Sequence, residues 1–208
     1  YGVSLQNLNS IGKKVSQYKS SPQIELAGIF NVDLSLPLSK KGDIYNNLLT
    51  PKLSFRINPS DMKDYSTSEN RIDINNIFSL NRLGFSDTLE TGRSITLGLD
   101  FKKEKFNELD DINNYFELKL ATVLRDKEQK FIPKKSSLNR KSSDLFGSIT
   151  NKFSNNLNLN YNFSVDNDYK TFQYNDLNAT ISINNFITTF NFIKEHGENE
   201  NTNVIASS

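Results

Sequence analysis

The chain has no cysteine and no tryptophan, and only one methionine and one histidine among its 208 residues. Without thiols there is neither a disulfide framework nor a thiolate metal site, and cysteine usage says nothing of the redox compartment. His196 is the only histidine; it lies in a charged stretch and reads as a solvated residue, with no second His or Cys to complete a metal site or a nucleophile–base couple. No nucleophile-elbow or phosphate-loop pattern occurs, so neither catalysis nor a cofactor is expected. Glu108, Asp110 and Asp111 fall in a turn between strands, where a wet acidic turn is favoured over a metal site. No run of roughly 18 apolar residues is present, so no transmembrane helix is expected. Charge of one sign is lacking as well: 25 Lys and Arg against 24 Asp and Glu leave +1, no field to draw in nucleic acid. Hydrophobic residues make up 36%, poor material for a two-sided soluble core.

What the chain does have is 15 Phe and 8 Tyr placed in patterned runs, which argues against disorder. Residues 156–165, NLNLNYNFSV, put Leu157, Leu159, Tyr161, Phe163 and Val165 at every second position, with Asn158, Asn160, Asn162 and Ser164 between them. Side chains of a strand alternate between faces, so this run is a strand with one apolar and one amide-lined side. Two solutions exist. Either the apolar side faces the core of a soluble sheet, or it faces lipid around a barrel whose polar side lines a lumen.

The same alternation predicts strands over 1–7, 22–36, 48–58, 93–103, 115–125, 142–152, 174–184 and 186–194, nine with the first. Pro22, Pro37, Pro51, Pro59 and Pro133 fall at or near strand ends or in loops, as residues without a ladder donor must. Residues 60–91 show neither period and read as one long, partly ordered loop; 126–141 is a second loop, and 195–208 a polar tail. Strands of about ten residues suffice to cross a bilayer at a tilt. Long and short connections alternate along the chain, as in barrels with long outer loops and short periplasmic turns. Phe101, Phe106, Tyr115, Phe153, Tyr169 and Phe172 lie near strand ends, where an interfacial girdle would be, though ordinary strand aromatics explain them equally. The fold class expected is all-β: an antiparallel up-and-down transmembrane barrel, present as an open arc.

The stretch 77–99, IFSLNRLGFSDTLETGRSITLGL, resembles a segment of the LPS-assembly family LptD, LF-x-x-NRFSG-x-D-x-x-E-x-G-x-R-x-x-x-G. The matching residues are Phe78, Asn81, Arg82, Asp87, Glu90, Gly92, Arg93 and Gly98. Residues 49–57 resemble the strand before the motif, and Ser143, Asp144 and Gly147 the strand after it. Gly84 stands one place early, with Phe85 in the motif's glycine slot, and Thr88 replaces a common arginine.

The resemblance implies a piece of the Gram-negative outer-membrane barrel that inserts lipopolysaccharide (LPS) into the outer leaflet. It also implies partners: LPS, membrane lipid, an LptE-like plug lipoprotein in the lumen, and a bridge of periplasmic jellyroll proteins. Residues 1–208 would be a partial barrel domain, with the family's jellyroll domain and its first and last barrel strands lying outside them. Asn81, Arg82, Asp87 and Glu90 are favoured as a structural set, an Arg and two carboxylates pinning a loop over or into the barrel mouth. Asn158, Asn160, Asn162, Asn178, Thr180 and Ser182 would line a hydrated lumen, or are merely wet. Lys134, Lys135, Arg140 and Lys141 could meet LPS phosphates, although basic runs in loops are usually just solvated. Two rivals stand beside this reading. A general porin or receptor barrel keeps the strands and loses the motif; a soluble β-sheet binding module turns the apolar faces inward.

Overall fold

A computed structural model of the chain describes residues 2–10, 23–106, 112–183, 186–196 and 201–207. They form eleven strands and a single 3-10 turn, Lys134–Ser136. The strands are β1 (Gly2–Ser10), β2 (Gln23–Ser35), β3 (Leu38–Lys41), β4 (Tyr45–Asn58), β5 (Gly92–Phe106), β6 (Ile112–Arg125), β7 (Leu145–Ser154), β8 (Leu157–Val165), β9 (Phe172–Ile183), β10 (Phe186–Glu195) and β11 (Asn201–Ser207). The sheet order is β1-β2-β4-β5-β6-β7-β8-β9-β10-β11, with β3 paired to β4 alone. Apart from β3, each strand therefore lies beside the next along the chain, and every ladder whose register is described is antiparallel. Among the described residues no ladder joins β1 to β11, so the sheet is open and not closed on itself.

All nine expected strands are present, and β3 and β11 add to them. β3 lies between the expected strands 22–36 and 48–58, where Leu38–Lys41 pairs with residues 46–49. β11 lies in the expected polar tail; its sequence NTNVIAS carries too little apolar alternation to be read as a strand, and it is held by a seven-residue ladder to β10. Pro51, expected near a strand end, is inside β4. Proline is tolerated there because the neighbouring chain breaks at Pro37 between β2 and β3, and the Leu36 N–H donates to the Pro51 carbonyl at 3.1 Å. β7 begins three residues later than expected: Ser142 makes only an isolated bridge to Leu124, and Ser143 exchanges bonds with the Val123 backbone through both its N–H and its hydroxyl, each 2.9 Å.

Contacts divide the chain into two units, the first made of Tyr1–Leu34, Leu53–Leu97 and Val123–Ser143, the second of Ser35–Lys52, Gly98–Thr122 and Asp144–Ser208. In the first unit the strands are greasy on the side left bare. Phe30, Leu53, Phe55, Ile95, Leu97 and Leu124 are 37–43% exposed. Their alternates Ile29, Asn31, Ser54, Arg56, Asn58, Ser94, Thr96, Val123 and Arg125 are buried. What buries them is the stretch 59–91. Leu89 packs with Ala27 and Ile29, and the Asn58 amide donates to the Glu90 carbonyl at 2.9 Å.

That stretch is a loop without helix or strand, as its sequence suggests, and much of it is packed. Ile72, Ile74, Ile77, Leu83 and Phe85 are buried within it, Tyr65 stacks on Phe85 at 4.0 Å, and the Tyr65 N–H donates to Phe131 of the second long loop. Its apolar residues pack through irregular turns, which is why no helical or strand period marks them.

In the second unit the ladders of β7–β10 carry polar and apolar rows in alternation. Thr150, Asn160, Asn178 and Asn191 are successive partners, and so are Ile149, Tyr161, Leu177 and Phe192 on the opposite face. Leu157, Ile181, Ile183, Phe186 and Phe190 are exposed on the apolar side; Ile187, also exposed, interrupts the polar one. A Cβ at Gly147 would stand 2.2 Å from the ring of its ladder partner Phe163, so the aromatic lies flat across a position only glycine can fill.

Candidate functional site

The most densely bonded polar cluster of the first unit centres on Glu90. Arg82 grips its carboxylate with a two-pronged fork, Nε to Oε2 at 2.7 Å and Nη2 to Oε1 at 2.6 Å. Arg56 of β4 adds a bond from Nη1 to Oε2 at 3.2 Å, and Arg125 of β6 one from Nη1 to Oε1. Two carboxylate oxygens thus accept four charge-assisted bonds, each oxygen two. Arg82 is fully buried and spends its remaining donors on the Ile77 carbonyl (3.3 Å), Thr96 Oγ1 (3.0 Å) and Ser94 Oγ (3.1 Å). Arg56 also donates to the Ser79 carbonyl and Arg125 to the Thr91 carbonyl, while the buried Nε of each has no partner among the described residues.

Three positive groups around one negative group make the electrostatics lopsided. Burial pushes the Glu90 carboxyl toward its neutral form, but it is outweighed by the charge and hydrogen bonds of Arg82 and by the charges of Arg56 and Arg125. The net result holds it far below the ordinary carboxylate range. Such a group is permanently ionised. The arrangement is an electrostatic rivet through which Glu90 and Arg82 of the loop engage Arg56 on β4, Ser94 and Thr96 on β5, and Arg125 on β6.

The other residues singled out in the motif take separate places. Asp87 does not join Arg82; its oxygens accept from Lys63 Nζ at 3.3 Å and Tyr65 Oη at 2.7 Å, within the loop. Asn81 closes a turn, its amide donating to the Phe85 carbonyl at 2.7 Å across Gly84, whose φ is +72°. Gly92 opens β5 at φ +90°, and a Cβ there would stand 2.9 Å from Arg125 Nη2 and from Gln129 Nε2. Glycine is thus demanded twice, by backbone and by the rivet. Arg93 is exposed and pairs with Asp126 at 3.2 Å; Phe78 and Gly98 are half-buried, the latter in β5.

Among the polar residues of β8 and β9, Asn158 faces Thr180, Asn160 faces Asn178, and Asn162 faces Asp176, to which its amide donates at 3.5 Å; Asn178 donates to the same carboxylate at 2.8 Å. Ser182 is half-buried beside them. Of the basic residues in the second loop, Lys134 and Lys135 open the 3-10 turn, and Lys135 pairs with Glu69. Arg140 is half-buried and Lys141 exposed. Glu108, Asp110 and Asp111 lie outside the described residues. Among the described residues no three His, Cys, Asp or Glu side chains stand together as a metal would need, and His196 is exposed.

Arg56 and Arg125 were not singled out by sequence. Each is one basic residue on the polar side of a strand, indistinguishable from a solvated one, and each meets Glu90 across 34 or 35 residues of chain. The signal available was company: Arg56 alternates with Ser54 and Asn58, small or neutral residues that leave a lone cation in need of a partner.

No curated protein matches the chain. A family description, "LptD: LPS transport system D", matches residues 3–205, and the chain belongs to that family, whose work is LPS transport to the outer membrane.

Proposed function

We propose that this chain is an arc of the outer-membrane barrel that inserts LPS into the outer leaflet of a Gram-negative cell, and that residues 1–208 form a partial barrel domain. The observation that carries the reading is the inverted burial of the sheet: in the first unit apolar alternates are bare while polar and charged alternates are covered. A soluble sheet does the reverse, because exposing a row of Leu, Ile and Phe to water costs about 25 cal/mol for each Å². Hydrocarbon removes that cost. On this reading the polar rows of β7–β10 face a hydrated lumen, and 59–91 and 126–144, among the long connections, belong to the extracellular side.

The path needs no catalytic group. Sugars and phosphates of LPS travel along the amide and hydroxyl rows, including Asn158, Asn160, Asn162, Asn178, Thr180 and Ser182, while acyl chains follow the apolar wall. The rivet at Glu90 holds 59–91 across the polar face, a structural part also assigned to Asn81, Arg82 and Asp87. Lys134, Lys135, Arg140 and Lys141 belong to the outer loops, where LPS phosphates lie. A plug lipoprotein in the lumen and a periplasmic jellyroll bridge complete the machine, which draws its energy from elsewhere.

Depleting the full-length protein from its own cell tests this. Surface LPS, read by its modification by an outer-leaflet enzyme, is expected to fall and to return with the wild-type protein but not with a general porin. Unchanged surface LPS after depletion contradicts the proposal.

A further inference from the structure

We propose that the apolar face at the short-turn ends of β4–β7 carries a headgroup site for an anionic glycerophospholipid of the periplasmic leaflet; this rests on the membrane orientation proposed above. A cavity of about 300 Å³ opens there, lined by Tyr45, Lys103, Lys105, Phe116, Asn151 and Phe153, all in the second unit. Strand alternation places these residues on one face. Lys103 and Lys105 share the parity of Leu99 and Phe101; Asn151 is the ladder partner of Phe116, and Phe153 follows on the same side. Contacts agree: Lys103 Nζ lies 4.3 Å from the Tyr45 ring centre, and the Phe101 and Phe116 rings are 6.4 Å apart.

The other face of these strands handles its charges differently. There Lys52 meets Asp100 at 2.5 Å, Lys102 meets Glu104 at 2.6 Å, and Lys119 meets Glu117 at 3.1 Å. The cavity, by contrast, is lined by lysines and by no carboxylate among the described residues. A lysine on the lipid side of a barrel strand is strongly disfavoured at the bilayer midplane and readily accommodated near the interface, so Lys103 and Lys105 mark headgroup depth. At that depth the complement of an ammonium pair is a phosphate. Tyr45 at 40% and Phe153 at 50% exposure supply rings for the glycerol and upper acyl region, and the Asn151 amide supplies a further donor. The apolar surface of Leu99 and Phe101 continues the cavity along the strand, which suits a phosphate bearing acyl chains and not a soluble anion.

The full-length protein in neutral detergent, analysed by native mass spectrometry against phosphatidylglycerol and phosphatidylcholine of the same chains, tests the site. The wild type is expected to prefer phosphatidylglycerol. Lys103→Gln with Lys105→Gln should weaken that binding roughly tenfold, at the scale of membrane-surface lysines, and leave phosphatidylcholine unchanged. Lys103→Arg with Lys105→Arg should keep the preference, and heat-modifiable migration shows that each variant is folded. No preference in the wild type, or the same preference in the Gln variant, overturns the site. Separately, a lone cysteine at Asn156→Cys in the β7–β8 turn should resist an impermeant maleimide on intact cells. Labelling from outside overturns both the leaflet assigned here and the orientation beneath it, whereas protection with no lipid preference overturns the site alone.

Discussion

Glu90 is the residue on which the covered face depends. Removing one member of a buried ion cluster leaves uncompensated charge, a loss of about 3–5 kcal/mol in comparable cases. Glu90→Gln removes the carboxylate shared by three guanidinium groups, so it is expected to cost that much in urea unfolding of the refolded protein; a loss below about 1 kcal/mol would mean that the rivet is ornamental. The same carboxylate sets a pH dependence. Its folded-state affinity for protons lies far below that of the unfolded chain, whose ordinary value is 4.5. The contribution is therefore complete above that value and shrinks as pH falls below it, since the unfolded state takes up the proton first. The gap in stability between wild type and Glu90→Gln should stay constant from pH 8 to about pH 5 and narrow toward pH 2. A gap that widens with acid would contradict the sign.

Among single residues, the motif itself was visible in sequence as a spaced set of Asn, Arg, Asp, Glu and Gly. Its internal pairing was not. Arg82 and Glu90 are eight residues apart and meet directly, whereas Asp87, closer to Arg82 in sequence, turns to Lys63 and Tyr65. Spacing in an irregular segment carries no direction, so sequence could not choose between the two carboxylates.

At the scale of elements, period-two alternation made β1, β2 and β4 to β10 legible, because apolar and polar positions differ in chemistry at every step. β3 and β11 were missed for want of that contrast: LSKK and NTNVIAS owe their extended form to a neighbour's ladder. The fold of 59–91 was equally hidden, being made of turns around Ile77, Leu83 and Phe85. Where alternation exists it makes a sharp prediction. Leu159 and Asn160 are adjacent in β8 but face opposite ways, partnered by Ala179 and Asn178. Leu159→Arg should cost roughly 2–4 kcal/mol in folding into lipid vesicles, and Asn160→Arg less than about 1 kcal/mol. Equal penalties would mean that the faces are misassigned.

For the whole molecule the central question is which solvent meets the apolar side. The bare Phe30, Phe55, Leu97 and Phe190 and the covered arginines take their meaning from the answer. Spin labels introduced one at a time across residues 157–162 of the full-length protein in membranes measure it directly, through relaxation by lipid-soluble oxygen against a water-soluble nickel chelate. Oxygen accessibility should peak at 157, 159 and 161 and nickel accessibility at 158, 160 and 162, two period-two waves out of phase. In-phase waves, or nickel reaching 157, 159 and 161 as readily as their neighbours, would contradict a lipid-facing sheet.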